Sequence, residues 1–178
     1  MKKPILPILL AGLLAAGCHS ANEIPSRDEL SATIDSLEQP IMQSPNYTPI
    51  DTAKGQQLID NYLLFADTYT DDSLAPAYLQ RAAQIAGALD HIDLMATYYD
   101  RVIDNYPNYT HLDECYYEKG LALDNAGRKD EARQAYQAFL NEYPSHFLAD
   151  DIRRALSLLD LSDELLLQYL EEANKTGK

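Results

Sequence analysis

The stretch YQAFLNEYP, residues 136–144, decides the fold. Tyr136, Phe139 and Tyr143 stand at offsets 0, +3 and +7, which puts three rings on one face of a helix. Pro144 has no N–H with which to continue that helix, so the chain must turn there. Reading back 37 residues gives Tyr99, Val102, Tyr106 and Pro107, and a further 37 gives Tyr62, Phe65, Tyr69 and Thr70. The position four before each leading tyrosine keeps phase as Ala132, Met95 and Leu58. A unit of this length cannot bury its apolar face alone, whereas stacked copies share one continuous core. The expectation is an all-α solenoid of helical hairpins with about three repeats.

Outward from the stripe, the tyrosine helices are predicted over roughly 52–69, 90–106 and 129–143, and the helices between them over 73–89, 111–126 and 147–159. Ser162-Asp163-Glu164 then caps one more helix, to about Asn174, whose Leu165-Leu166-Leu167 run has to be buried on one side. A C-terminal capping helix is what an array needs to cover its open end. The repeat domain is placed at 51–178. Before it, Ser26-Arg27-Asp28-Glu29 reads as a capping box opening a short helix to about Glu38. Pro40, Pro45 and Pro49 interrupt the next stretch of chain, so 18–50 reads as a tether, a short helix and a proline-rich loop lying along the body.

The unit ending at Pro144 resembles a tetratricopeptide repeat. Gly120, Gly127, Ala132, Tyr136 and Pro144 occupy the places that family gives to its helix-packing Gly, turn Gly, small contact Ala, aromatic and terminal Pro. The unit ending at Pro107 keeps Ala83, Tyr99 and the proline. The long period and the Tyr-Pro endings are similar to repeats of outer-membrane lipoproteins and periplasmic factors that serve barrel assembly and envelope coordination. That resemblance implies a scaffold for protein partners.

The first residues set the expected location. Lys2 and Lys3 precede an apolar run from Ile5 to Ala16, too short for a membrane span, which needs about 20 residues. Ala15-Ala16-Gly17-Cys18 resembles the lipobox of bacterial lipoproteins, with Ala15 where Leu is usual. On this reading 1–17 is a signal peptide and Cys18 carries the lipid, since two or three acyl chains hold a protein to a bilayer without a spanning helix. No acidic run follows Cys18, which points to a chain anchored in the outer membrane and facing the periplasm.

Charge narrows the partners. The chain carries −14 at pH 7 and becomes more acidic once Lys2 and Lys3 leave. Nucleic acid needs a basic footprint, and the only dense one is Arg153-Arg154. Cys115 is the sole thiol besides Cys18 and reads as a small apolar core residue. No nucleophile elbow, zinc-protease helix or phosphate loop is present, so the reading is of a non-enzyme without cofactor or metal. His111 with Asp113 and Glu114 reads as an acidic helix start rather than a ligand set.

The expected partner-binding groove lies along the first helices of the units: Gln80, Gln84, Tyr117, Leu121, Asp124 and Asn125, with Glu114 beside them. No lysine stands among them to clamp a carboxylate, so an extended or basic segment suits the surface better. The alternative is a peptide- or glycan-binding lipoprotein. Against glycan stacking, six of the thirteen tyrosines belong to the packing stripe. Asp35-Ser36-Leu37, Asp51-Thr52-Ala53 and Asp72-Ser73-Leu74 each resemble the O-glycosylation acceptor of exported Bacteroidetes proteins, although each also suits a helix cap or start.

Overall fold

The computed structural model describes residues 24–42, 50–161 and 163–176, so the leader, Cys18 and the Pro45–Pro49 segment lie outside the described residues. Regular structure among the described residues is entirely helical: α1 (Arg27–Met42), α2 (Thr52–Thr68), α3 (Ala75–Ala88), α4 (Ile92–Asn105), α5 (Leu112–Asn125), α6 (Lys129–Glu142), α7 (Ala149–Leu159) and α8 (Asp163–Thr176). From α1 to α7 each helix packs on its neighbours in sequence. The result is a tetratricopeptide-like helical-hairpin solenoid with a short C-terminal helix.

The stripe is the core. Leu58, Tyr62 and Phe65 on α2, Met95, Tyr99 and Val102 on α4, and Ala132, Tyr136 and Phe139 on α6 are all buried. Burying a large side chain contributes about 1.5–3 kcal/mol, so the nine positions supply much of the drive for stacking. Each helix also ends alike. Tyr69, Tyr106 and Tyr143 leave the helical region at φ −118°, −129° and −125°, their N–H groups still bonded to Phe65, Val102 and Phe139. The following turn repeats too: the N–H groups of Asp72, Tyr109 and His146 return to the carbonyls of Tyr69, Tyr106 and Tyr143 at 2.9, 3.0 and 3.2 Å. Thr70 supports this turn as well as Pro107 and Pro144 do, because these hydrogen bonds hold it.

In the α3/α4 and α5/α6 hairpins the first helix closes with a Schellman turn. His91 N–H bonds the Ala86 carbonyl at 2.8 Å, and Arg128 N–H bonds that of Leu123 at 2.9 Å. The left-handed residue is Gly127 in one turn, φ 72°, and Asp90 in the other, φ 63°. Gly120 performs the packing role expected of it: a Cβ there would lie 2.5 Å from the Tyr136 ring.

The N-terminal helix departs from expectation. Pro40 does not stop it; α1 continues to Met42. Proline removes one backbone hydrogen bond, a loss confined here to the last turn, and Leu37 and Ile41 pack on the core beside it. Leu30 and Ile34 are fully buried in the same cluster as the tyrosine stripe, so this helix joins the repeat body as the partner of α2. The capping box forms, with Ser26 N–H and Oγ–H both donating to Glu29 Oε2 at 2.9 and 2.7 Å. Arg27 pairs with Asp72, and Tyr69 donates to the Pro25 carbonyl at 2.8 Å, which fixes the start of α1 to the turn after α2. At the other end, Leu165 and Leu167 of α8 are exposed, so the burial expected of the leucine run does not include these two.

Candidate functional site

The first helices of successive hairpins put α3 beside α5, and their facing residues make a polar seam. Gln80 and Gln84 stand one turn apart on α3; Glu114 and Glu118 stand one turn apart on α5. Gln84 Nε2 donates to both oxygens of Glu118 at 3.1 Å, and Gln80 Nε2 reaches Glu118 and Glu114 at 3.3 and 3.4 Å. Gln80 is only 6% exposed, and its Oε1 accepts from the Tyr109 hydroxyl at 2.8 Å. A buried amide is tolerated only when donor and acceptor are both used, and here they are.

The stripe reaches this seam from behind. Tyr99 donates to Glu118 Oε2 at 2.9 Å. Burial first, then the neighbouring Glu118 charge, pushes its pKa up. Tyr109 is pushed up to about 12, chiefly by burial. Both phenols therefore stay protonated donors, and Glu118 is left as a shared acceptor for Gln80, Gln84 and Tyr99. Between the helices opens a groove of about 500 Å³ lined by Ala77, Gln80, Arg81, Gln84, Tyr109 and Glu114 among others. Its one cation, Arg81, pairs with Glu38 at 2.6 Å; the same carboxylate accepts from Tyr62 at 2.6 Å.

Of the expected groove residues, the structure brings Gln80, Gln84 and Glu114 together around this opening. Leu121, 39% exposed, and Asn125, exposed, continue along the same face of α5, two and three turns beyond Glu114. Tyr117, between Glu114 and Leu121 along the helix, is half-buried and packed on the core. Asp124 is half-buried and accepts from Tyr136 at 3.3 Å, so it also ties the α5/α6 hairpin together. Three members of the seam are absent from the expected set. Glu118 is marked in the sequence as the residue one turn after Glu114. Arg81 sits one repeat before Glu118, so the period marks it. Tyr109 sits in a turn, where helical spacing carries no information.

His111 keeps Glu114 as a neighbour but not Asp113. His111 Nδ1 meets Glu114 at 3.0 Å, while Asp113 meets His146 Nε2 at 3.1 Å. Cys115 is fully buried, and burial pushes its thiol up to about 12, which leaves little reactive thiolate. Of the three Asp-Ser/Thr motifs, Ser36 lies within α1 bonded to the Thr33 carbonyl, Thr52 opens α2 behind its cap Asp51, and Ser73 is exposed in the turn before α3.

Residues 77–109 and 114–146 each match the tetratricopeptide repeat, and they start 37 residues apart, the period of the tyrosine stripe. They contain most of α3 with all of its partner α4, and most of α5 with all of α6, including the seam just described. No curated protein matches the chain. Repeats of this kind serve protein–protein interaction, so the chain carries a repeat scaffold for protein partners.

Proposed function

We propose that the protein is a lipid-anchored scaffold that holds protein partners at the periplasmic side of a bacterial outer membrane, in the service of envelope assembly. The observation that carries the binding half is the α3/α5 seam. Gln80, Gln84, Glu114 and Glu118 present amides and carboxylates along an open groove whose single guanidinium is already paired with Glu38. Such a surface has spare acceptors and little free positive charge, so it suits an extended segment carrying lysine or arginine and exposed backbone N–H groups. Leu121 and the edge of Tyr117 extend the seam with apolar contact area. An open groove with this polar lining favours a peptide segment over a captured glycan, which would be expected in a closed aromatic pocket.

The anchoring half rests on Ala15-Ala16-Gly17-Cys18 and the short apolar run before it. Detergent phase partitioning tests it: wild type enters the detergent phase, and Cys18→Ser is expected as an unprocessed or soluble form. A Cys18→Ser chain of mature length in the detergent phase would contradict the anchor. The binding half is tested by placing a photo-crosslinker at Gln84 or Leu121 in native membranes, with Leu94 as control. Crosslinks from the first two positions and none from Leu94 support the seam; the reverse pattern would place binding elsewhere.

A further inference from the structure

Between α2 and α4 the outer seam of the solenoid is filled. Tyr98 on α4 is 8% exposed and close enough to Asp60 and Asp67 on α2 to feel both charges, and Arg101, one turn on, pairs with Asp67. One period later, between α4 and α6, these two positions are Ala135 and Ala138. The truncation leaves a groove of about 450 Å³ lined by Ala96 and Ile103 on α4, Tyr116 and Lys119 on α5, and Ala135 and Ala138 on α6. The surrounding residues register the loss. Ile59, Leu79 and Ala82 in the filled seam are at most 1% exposed, whereas their counterparts Ala96, Tyr116 and Lys119 are half-buried. Charge is left over as well: Asp104, the counterpart of Asp67, is exposed and has no ion-pair partner among the described residues.

We propose that this groove docks a short segment of a protein partner that inserts an aromatic ring over Ala135 and pairs an arginine, about one turn away, with Asp104. The chain itself shows what such a seam accepts, because Tyr98 and Arg101 complete the equivalent site one repeat earlier. Glu131 is already paired with Arg128 and Lys119 with Asp100, so the exposed Asp104 is the acid left to favour a cation over a second acidic surface, and this chain is strongly acidic. Aromatic and arginine side chains are also those that dominate binding hot spots. The groove uses Tyr116 and Lys119, about half a helical turn around α5 from Glu114, Glu118 and Leu121, so it is a surface separate from the inner seam and does not rest on that reading.

The test uses the full chain with labelled alanine methyls and a stapled helical peptide carrying tyrosine and arginine three residues apart. The expected result is that the Ala96, Ala135 and Ala138 methyls shift, and that replacing the peptide's tyrosine by alanine or its arginine by glutamate weakens binding at least about tenfold. Ala135→Tyr with Ala138→Arg fills the groove from within and should abolish binding while melting no lower than wild type. Should that pair fold poorly, Ala138→Glu alone is expected to strengthen binding, by adding a carboxylate beside Asp104. Tyr117→Ala with Asn125→Ala should leave peptide binding unchanged, which separates this groove from the inner seam. Absence of methyl shifts, or full binding by the filled variant, overturns the proposal. Self-association of the free chain that disappears in the filled variant would assign the groove to a second copy and equally overturn it.

Discussion

A Cβ on Gly120 would stand 2.5 Å from Cδ1 and 2.6 Å from Cε1 of Tyr136, inside any permitted contact. The absence of a side chain on α5 is therefore what lets the Tyr136 ring lie across that helix and donate to Asp124. One repeat earlier the same place holds Ala83, the Asp124 counterpart is Gly87, and Tyr99 points instead to Glu118 on the next hairpin. Gly120→Ala is expected to lose about 1–2 kcal/mol, an overpacking cost partly offset by better helix propensity. Gly87→Ala, whose Cβ would make an ordinary 3.5 Å contact with Met95, should be neutral or slightly stabilising. Equal melting temperatures for the two variants would show that the Tyr136 ring moves freely.

Phe139 is fully buried and its ring meets those of Tyr143 and His146 at 5.4 and 5.2 Å. Phe139→Ala should cost about 3–5 kcal/mol, because a cavity between three helices cannot collapse. Tyr117→Ala, at a half-buried position on the inner face, should cost far less. Urea unfolding of both variants checks the assignment of faces, and comparable losses would show it reversed.

Asp90 holds φ 63° where the equivalent turn has Gly127 at φ 72°. Asp90→Gly is expected to raise stability by about 1 kcal/mol through relief of the left-handed strain. A fall in melting temperature would mean that the aspartate side chain supports the turn more than its backbone geometry costs.

The buried phenols and thiol make alkaline stability a direct readout of the stripe. Burial raises the pKa of Tyr62, Tyr99 and Tyr136 and moves Cys115 from 9.0 to about 12. The folded chain holds these protons more tightly than the unfolded one, so the stabilisation is complete below pH 9 and is lost progressively as pH climbs through the folded values. Phenolate absorbance should show the buried tyrosines lagging behind the exposed ones, with the unfolding midpoint falling over the same range. Simultaneous titration of every tyrosine near 10 would contradict their burial.

The stripe was legible because burial on one helix face imposes a spacing that three copies repeat, and the turns were legible from Gly127, Pro107 and Pro144. The membership of α1 was not: it lies outside the tyrosine period, and Pro40 reads as a breaker although a last-turn proline costs only one hydrogen bond. Gln80, Gln84 and Glu114 could be placed on an inner face by spacing alone. Their convergence on Glu118, and the supporting bond from Tyr109, depend on the reach of side chains between hairpins, which no local pattern encodes. The groove left by Ala135 and Ala138 becomes visible only when equivalent positions are compared in three dimensions.

On the proposed function a protein partner is held on the inner face. Crosslinking and pull-down from native membranes, with wild type beside Tyr117→Ala/Asn125→Ala, test that placement. The double variant is predicted to keep its helical content and melting temperature nearly unchanged while losing the crosslinked partner. Undiminished capture by that stable variant would contradict the assignment of binding to this face.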